Sequence, residues 1–135
     1  MAEHVNWAAL AQWEEVYKRG LLTFWILLLL NEREMYAYEM RASIAEFSQG
    51  TIDVDDNSIY RALKRFAAAG FVRSDLRASE TGPARRYFTL TPAGLALLAG
   101  FIKRNLLVFQ TPRLVETFRR VVEESDGNEE NRHGT

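Results

Sequence analysis

The stretch DDNSIYRALKRFAAAGFVRSDLRASETGPARRYFTLTPAG, residues 55–94, decides the fold. It opens with Asp55, whose carboxylate suits a helix N-cap because it can accept hydrogen bonds from the backbone N–H groups of the next turn. Apolar side chains then recur at helical spacing from Ile59 to Phe66. Gly70 is typical of a residue that ends a helix in the left-handed conformation. The stretch therefore predicts a helix between Asp55 and Gly70.

Two short strands are predicted after this helix. The segments FVRSDL, residues 71–76, and RRYFTL, residues 85–90, are rich in β-branched and aromatic residues. Gly82-Pro83, which lies between them, favours a turn. We therefore expect a two-stranded β ribbon directly after the helix.

Helices are also predicted upstream. Residues 5–17 predict an amphipathic helix, and residues 36–47 predict another. The run LLTFWILLLL, residues 21–30, is too short for a membrane span, which needs about 20 apolar residues, and predicts a buried core helix. Helix, helix, helix and ribbon, counted from this run, is the element order of a winged helix-turn-helix.

The segment after the ribbon predicts two more helices. Thr91-Pro92 and Thr111-Pro112 each place a capping residue before a proline, as at helix starts. The helix from Thr91 to Phe109 is apolar nearly all round, so a small domain could not cover it and a partner helix would. The predicted fold class is mainly α (α+β), a winged helix-turn-helix with a two-stranded β wing and N- and C-terminal dimerisation helices. The expected organisation is an N-terminal dimerisation helix over 1–19, a winged-helix domain over 20–90, C-terminal dimerisation helices over 91–124 and a disordered tail over 125–135.

Charge is distributed unevenly along this nearly neutral chain. The formal net charge is -1, yet residues 58–88 carry seven Lys and Arg against two acids, while residues 1–57 carry four against ten. A local basic patch on a neutral protein indicates a polyanionic partner.

The exposed side of the helix after Asp55 carries side chains that suit contacts with DNA bases and phosphates. Asn can pair bidentately with adenine and Arg with guanine, while Tyr, Lys and Ser suit phosphates. The predicted DNA-binding residues on this helix are Asn57, Ser58, Tyr60, Arg61 and Lys64.

The ribbon adds Arg77, Arg85 and Arg86, where a wing would reach the minor groove or the flanking backbone. A plain solvated surface is the alternative interpretation of the helix taken alone, since most surface helices have a polar side. The basic segment and the element order favour double-stranded DNA.

Enzymatic and metal sites are not indicated. The chain has no cysteine, which excludes thiol chemistry. His4 and His133 lie near opposite ends without matching ligand spacing. Paired acids such as Glu14-Glu15 are adjacent in sequence, whereas acid and base carboxylates must converge on a cleft. We expect no enzyme, cofactor or metal site, no membrane association and a cytoplasmic location.

Several sequence segments resemble the PadR family of bacterial and archaeal winged-helix regulators, over about residues 15–109. The segments that carry the resemblance are YAYE at 36–39, NSIYRALKRF at 57–66, AGFV at 69–72 and GPARRYFTLTPAG at 82–94. The resemblance implies a homodimer whose terminal helices exchange across the two-fold axis, and a repressor that binds a pseudo-palindromic operator.

The resemblance also implies a small aromatic or cationic effector at or near the dimer interface. Candidate residues for that effector or dimer interface are Trp7, Trp13, Phe101 and Asn105, since aromatic rings stack on such ligands and attract cations. Plain core or dimer contacts are the alternative for these side chains. The alternative function is a dimeric protein-interaction module without sequence-specific DNA binding, which the near-neutral charge and the acids Asp55 and Asp56 favour.

Overall fold

Five α-helices and three β-strands form the part of the chain that the structure describes. The structure is a computed structural model in which residues 5–133 are described, with side chains described as far as residue 127. The elements are α1 (Trp7–Glu32), β1 (Met35–Tyr36), α2 (Ala37–Phe47), α3 (Asp56–Ala68), β2 (Val72–Ser79), β3 (Gly82–Leu90), α4 (Pro92–Phe101), a π-helical turn (Ile102–Leu106), a 3-10 turn (Leu107–Gln110) and α5 (Pro112–His133). The fold is a mainly α winged helix, as predicted.

The chain divides into two compact units. One is Lys18–Gly100, which holds α2, α3 and the sheet together with the adjoining parts of α1 and α4. The other consists of the described residues before Lys18 and after Gly100.

Helix α1 is continuous, whereas the sequence predicted separate helices over 5–17 and 21–30. Gly20 lies at the expected break. A single glycine costs a helix only about 1 kcal/mol relative to alanine, and open space surrounds Gly20, so the backbone continues through it. The predicted core role of the apolar run is confirmed, because Ile26, Leu27, Leu29 and Leu30 are buried.

The core of Lys18–Gly100 is formed by the apolar sides of its helices and one side of its sheet. Helix α2 packs against α3, and α3 packs against β2. Met35, Met40 and Ile44 are fully buried, and each such side chain stabilises the fold by about 1.5–3 kcal/mol. The predicted buried side of α3 is confirmed, and its residues are Ile59, Ala62, Leu63 and Phe66.

The sheet has three antiparallel strands in the order β1-β3-β2. The two-residue strand β1 was not predicted. The predicted turn at Gly82-Pro83 is wrong, because Ser79 pairs with Gly82 and the turn falls between them. The register shifts between Arg77 and Ser79. Such an irregularity leaves a residue unpaired and so tolerates the missing N–H of Pro83 within β3.

Thr91 links the end of α3 to the start of α4. Its Oγ1 donates to the Gly70 carbonyl oxygen at 2.7 Å and accepts from the Gly94 N–H at 3.1 Å. Gly70 has a φ of 83°, the left-handed conformation expected of a residue that follows a helix. Both predicted end residues, Gly70 and Thr91, are thus confirmed.

The predicted single helix from Thr91 to Phe109 is interrupted. Helix α4 ends at Phe101, and the chain continues as a π-helical turn and then a 3-10 turn. Thr111 is extended, with a ψ of 144°, as the residue before a proline must be. The helical turns that follow α4 therefore have to end ahead of Pro112, and the last of them is the tighter 3-10 turn Leu107–Gln110.

Helix α5 continues to His133, where the sequence predicted a disordered tail over 125–135. Residues 134 and 135 lie outside the described part. Arg119 donates to the carboxylates of Glu116 and Glu123, one turn to either side. Pairs at this spacing support the predicted part of this helix, whereas the tail beyond it is helical where the sequence predicted disorder.

One segment of the described chain, Pro92–Gln110, has the length and apolar composition of a membrane-spanning helix. Only 11% of it is buried. It comprises α4 and the two irregular turns, so it is not one regular helix.

Candidate nucleic-acid interface

Helix α3 presents a polar side opposite its buried one. Asn57, Tyr60, Arg61 and Lys64 are exposed, and Ser58 is half-buried. The arrangement follows from helical periodicity, which places these residues away from Ile59 and Leu63. The structure therefore brings the five residues predicted on this helix onto one accessible surface, which we call the α3 polar surface.

Two side-chain contacts order the α3 polar surface. The Lys64 ammonium lies 5.5 Å from the centre of the Tyr60 ring, within the range of a cation–π contact. An Arg61 guanidinium N–H donates to Ser58 Oγ at 3.4 Å. Both cations remain exposed, so they are available to an anionic ligand.

Asp55 caps the start of α3, as predicted. Its Oδ1 accepts from the Ser58 backbone N–H at 2.6 Å. This backbone hydrogen bond, a second one with the Ser58 side chain and the nearby charge of Arg61 lower the pKa of Asp55. The carboxylate therefore stays ionised and occupies N–H groups that a phosphate could otherwise bind.

Arg41 and Asp53 form an ion pair that the sequence analysis missed. The Arg41 Nε–H donates to Asp53 Oδ1 at 3.1 Å, and this contact raises the pKa of Arg41. The pair ties α2 to the loop before α3. It lies beside a cleft of about 380 Å³ that Tyr38 and Asp56 also line. The two residues are 12 positions apart in different segments, so no helical or strand periodicity in the sequence could have predicted the pair.

The three wing arginines do not share one surface. Arg77 lies opposite Arg85 across the two strands, and Leu76 lies opposite Arg86. Because side chains alternate along a strand, Arg77 and Arg85 project from one side of the sheet and Arg86 from the other. Phe88, which is buried, projects from the same side as Arg86. We call that the inner side and the opposite one the outer side.

The outer side carries a chain of stacked charges and rings. Both guanidinium nitrogens of Arg77 donate to the Glu34 carboxylate, at 2.6 and 2.7 Å. The Arg77 guanidinium lies 4.7 Å from the Tyr87 ring centre, and that ring meets Tyr36 edge-on at 5.4 Å. The Arg85 guanidinium lies 4.6 Å from the Tyr36 ring centre. Arg77 is thus held by Glu34 and Arg85 by Tyr36.

Glu34, Tyr36 and Tyr87 were not among the predicted site residues. The hydrogen bonds from Arg77 lower the pKa of Glu34, so the pair stays charged at neutral pH. Glu34 and Arg77 are 43 residues apart, and only strand register brings them together. The two tyrosines did stand in the segments that carried the family resemblance, at 36–39 and 82–94.

The predicted effector or dimer residues, Trp7, Trp13, Phe101 and Asn105, all lie in the compact unit outside Lys18–Gly100. Trp7 and Trp13 are 72% and 75% exposed. Six positions apart, they point about 120° apart around the helix axis. Asn105 lies in the π-helical turn, and its Nδ2 donates to the Phe101 carbonyl oxygen at 3.2 Å. The contact joins Asn105 to Phe101.

Among the described residues, no group of three or more His, Asp or Glu side chains could hold a metal ion. His4 lies outside the described residues, and His133 lies where side chains are not described.

Solved structures of transcriptional regulators, some of them named as PadR-like, are similar to this chain. A transcriptional regulator from Clostridium thermocellum is 26% identical, with a TM-score of 0.60, over 68% of this chain and 89% of the other. A PadR-like regulator from Bacillus cereus is 27% identical, with a TM-score of 0.58, over 77% and 93%. Bacillus subtilis PadR, solved in complex with operator DNA, is 25% identical, with a TM-score of 0.58, over 63% of this chain and 48% of that protein.

The family model agrees with the structural likeness. The model of the transcriptional regulator PadR-like family matches residues 26–100. This range spans the end of α1, both helices of the helix-turn-helix, the wing and most of α4, which is more than half of the chain. The chain therefore belongs to the PadR-like family of transcriptional regulators.

Proposed function

We propose that the protein binds duplex DNA in the cytoplasm as a homodimer, with α3 in the major groove and the wing on the flanking backbone. The α3 polar surface carries this proposal, because Asn57 and Arg61 are exposed on the side of the helix opposite its buried residues. An amide and a guanidinium so placed suit adenine and guanine edges. The operator complex of Bacillus subtilis PadR supports the same ligand class.

Phosphate contacts supply the remaining affinity. Tyr60 and Lys64 hold each other at one edge of the α3 polar surface, and Ser58 stands near its start. The wing supplies a further cation from among Arg77, Arg85 and Arg86. If Lys64 and one wing arginine each neutralise a phosphate while Arg61 contacts a base, a dimer makes about four phosphate contacts, and log K against log salt has a slope of about -4.

Apolar surface that the described chain leaves uncovered supports the proposed homodimer. In the unit outside Lys18–Gly100, the exposed large apolar side chains are Val5, Trp7, Trp13, Val16, Tyr17, Leu107, Val108, Phe109, Val115, Phe118, Val121 and Val122. Soluble monomers rarely expose so much apolar surface without a partner. A second copy that covers it would also explain why Pro92–Gln110 is apolar but little buried. Two copies would present their α3 helices about 34 Å apart, which fits a pseudo-palindromic operator.

Repression by blocking a promoter is the regulatory outcome that we propose, with relief by a small aromatic or cationic effector. Trp7 and Trp13 offer exposed rings, and Asn105 offers an amide beside Phe101. An effector that binds this region lowers DNA affinity only if it favours a dimer whose α3 spacing fits the operator poorly.

The test is binding to the protein's own upstream promoter against a scrambled duplex, at about 50 and 200 mM salt. We expect promoter affinity to fall by about 10²-fold over that range. Arg61→Ala should lose discrimination between the duplexes by about 10- to 100-fold. Arg73→Ala removes the same charge from the outer side of the sheet and is the matched control, expected to keep discrimination.

Equal binding of both duplexes, or none, would contradict sequence-specific recognition. The protein-interaction module would then be the better interpretation. Loss of discrimination in Arg73→Ala as large as in Arg61→Ala would contradict the assignment of base contact to α3.

A further inference from the structure

The adjacent arginines of the wing have different surroundings. Arg85 lies on the outer side, where its guanidinium stacks 4.6 Å from the Tyr36 ring centre. Arg86 lies on the inner side, where its guanidinium donates to Ser74 Oγ at 3.1 Å. Strand alternation fixes this difference, since Phe88 on the inner side is only 2% exposed.

The outer side is already occupied by its own contacts. Arg77 is bound bidentately by Glu34, and a second acid, Asp75, lies 3.7 Å from it. A phosphate that approached Arg77 would meet two carboxylates. The outer side is therefore suited to fixing the wing on the β1 segment rather than to binding a polyanion.

The inner side combines a cation with exposed apolar surface. Leu76 lies directly opposite Arg86 and is 63% exposed. Val72 and Phe88, on the same side, are buried, so Leu76 and Arg86 stand where the sheet extends beyond its core. Helix α3 packs against β2. The pair thus lies on the side of the sheet that faces the helices.

We propose that Leu76 and Arg86 form the DNA contact of the wing, while Arg77 and Arg85 only position it. This inference rests on the proposed DNA-binding function. The Arg86 guanidinium neutralises a phosphate or enters the minor groove, and Leu76 packs against sugars or the groove wall. Ser74 holds Arg86 in the required direction. Asp75 and Glu34 keep their side of the wing away from DNA.

The experiment compares four single variants, Arg86→Ala, Leu76→Ala, Arg85→Ala and Arg77→Ala, on the promoter duplex over a salt titration. Thermal melting is measured in parallel. Arg86→Ala should make the salt slope less steep by about 0.9 per protomer, because one phosphate contact is lost. Leu76→Ala should weaken binding about threefold to tenfold without changing the slope, because an apolar contact releases no counterion.

Arg85→Ala and Arg77→Ala should lower the melting temperature and leave the salt slope unchanged. A slope change in Arg85→Ala equal to that in Arg86→Ala would overturn the inference, as would normal affinity in Leu76→Ala. In both cases wild-type binding would leave the proposed function intact. Absence of promoter binding by the wild-type protein would instead refute the proposed function and this inference together.

Discussion

Gly94 is the residue at which the structure gives the sharpest stability prediction. A Cβ added there would lie 2.1 Å from the Phe71 carbonyl oxygen and 2.6 Å from Leu90 Cδ1. The carbonyl is backbone and cannot swing away as a flexible side chain could. It also accepts the Thr91 N–H at 3.1 Å. Gly94→Ala must therefore push α4 away from the chain that follows α3.

The magnitude follows from three contributions. Overpacking of a tight contact costs about 1–3 kcal/mol. Loss of the Thr91 hydrogen bond to Phe71 adds about 1 kcal/mol. The higher helix propensity of alanine offsets about 1 kcal/mol of this destabilisation. The net destabilisation is about 1–3 kcal/mol, which lowers the melting temperature of a domain this size by about 4–12 °C.

Thermal unfolding followed by circular dichroism measures the change. Gly100→Ala in the same helix is the matched control, and Gly20→Ala in α1 is a second one, because nothing lies within 4 Å of either added Cβ. Both controls should melt at or slightly above the wild-type temperature, since only the helical preference of alanine remains. A Gly94→Ala protein as stable as wild type would refute the close approach of α4 to Phe71.

Three further predictions concern charge and assembly. Asp55→Asn should keep α3 capped, because asparagine is an equally good N-cap, and should raise DNA affinity about twofold at low salt by removing a negative charge near the phosphates; unchanged affinity would place Asp55 away from DNA. In the folded protein, the hydrogen bonds from Arg77 lower the pKa of the Glu34 carboxyl from its usual value of 4.5. The ion pair therefore stabilises the fold above pH 4.5, and this stabilisation is lost as pH falls through the lowered pKa. Melting temperature should thus fall less below pH 4.5 in Glu34→Gln than in wild type, and parallel pH profiles would contradict the ion pair. Val121→Glu should reduce the mass seen by light scattering to that of a monomer, with Glu124→Gln as control; a persistent dimer would exclude this part of α5 from the interface.

Local rules predicted most of α3 because its limits and its buried side depend on neighbouring residues. Asp55 caps the helix and Gly70 follows it with positive φ. Between them, buried side chains recur every three or four residues, as helical periodicity requires. The turn of the wing was misplaced for the opposite reason. Its position depends on a register shift between Arg77 and Ser79, which pairing across the strands decides and local preference for Gly-Pro does not.

In the wing, the candidate residues were predicted by type but not in their arrangement, whereas the polar side of α3 was predicted as it lies. The sequence identified the wing arginines by their charge, yet charge alone could not show that Arg77 is bound by Glu34, 43 residues away. Nor could it show that neighbouring Arg85 and Arg86 project to opposite sides. Both facts depend on strand pairing between distant segments, as does the edge-on contact of Tyr36 with Tyr87.

The distribution of acids refines the proposed mode of binding. Glu34 and Asp75 both lie against Arg77 on the outer side of the wing, and Asp55 occupies the N–H groups at the start of α3. Each acid removes a place where any phosphate could bind regardless of sequence. By contrast, Arg61, Lys64 and Arg86 make side-chain contacts with the neutral residues Ser58, Tyr60 and Ser74, and the proposed mode of binding places these cations at base edges or the nearest backbone. Under the proposed mode of binding, such a protein would bind non-specific DNA weakly, so contacts from Asn57 and Arg61 to bases would supply a large share of its operator affinity.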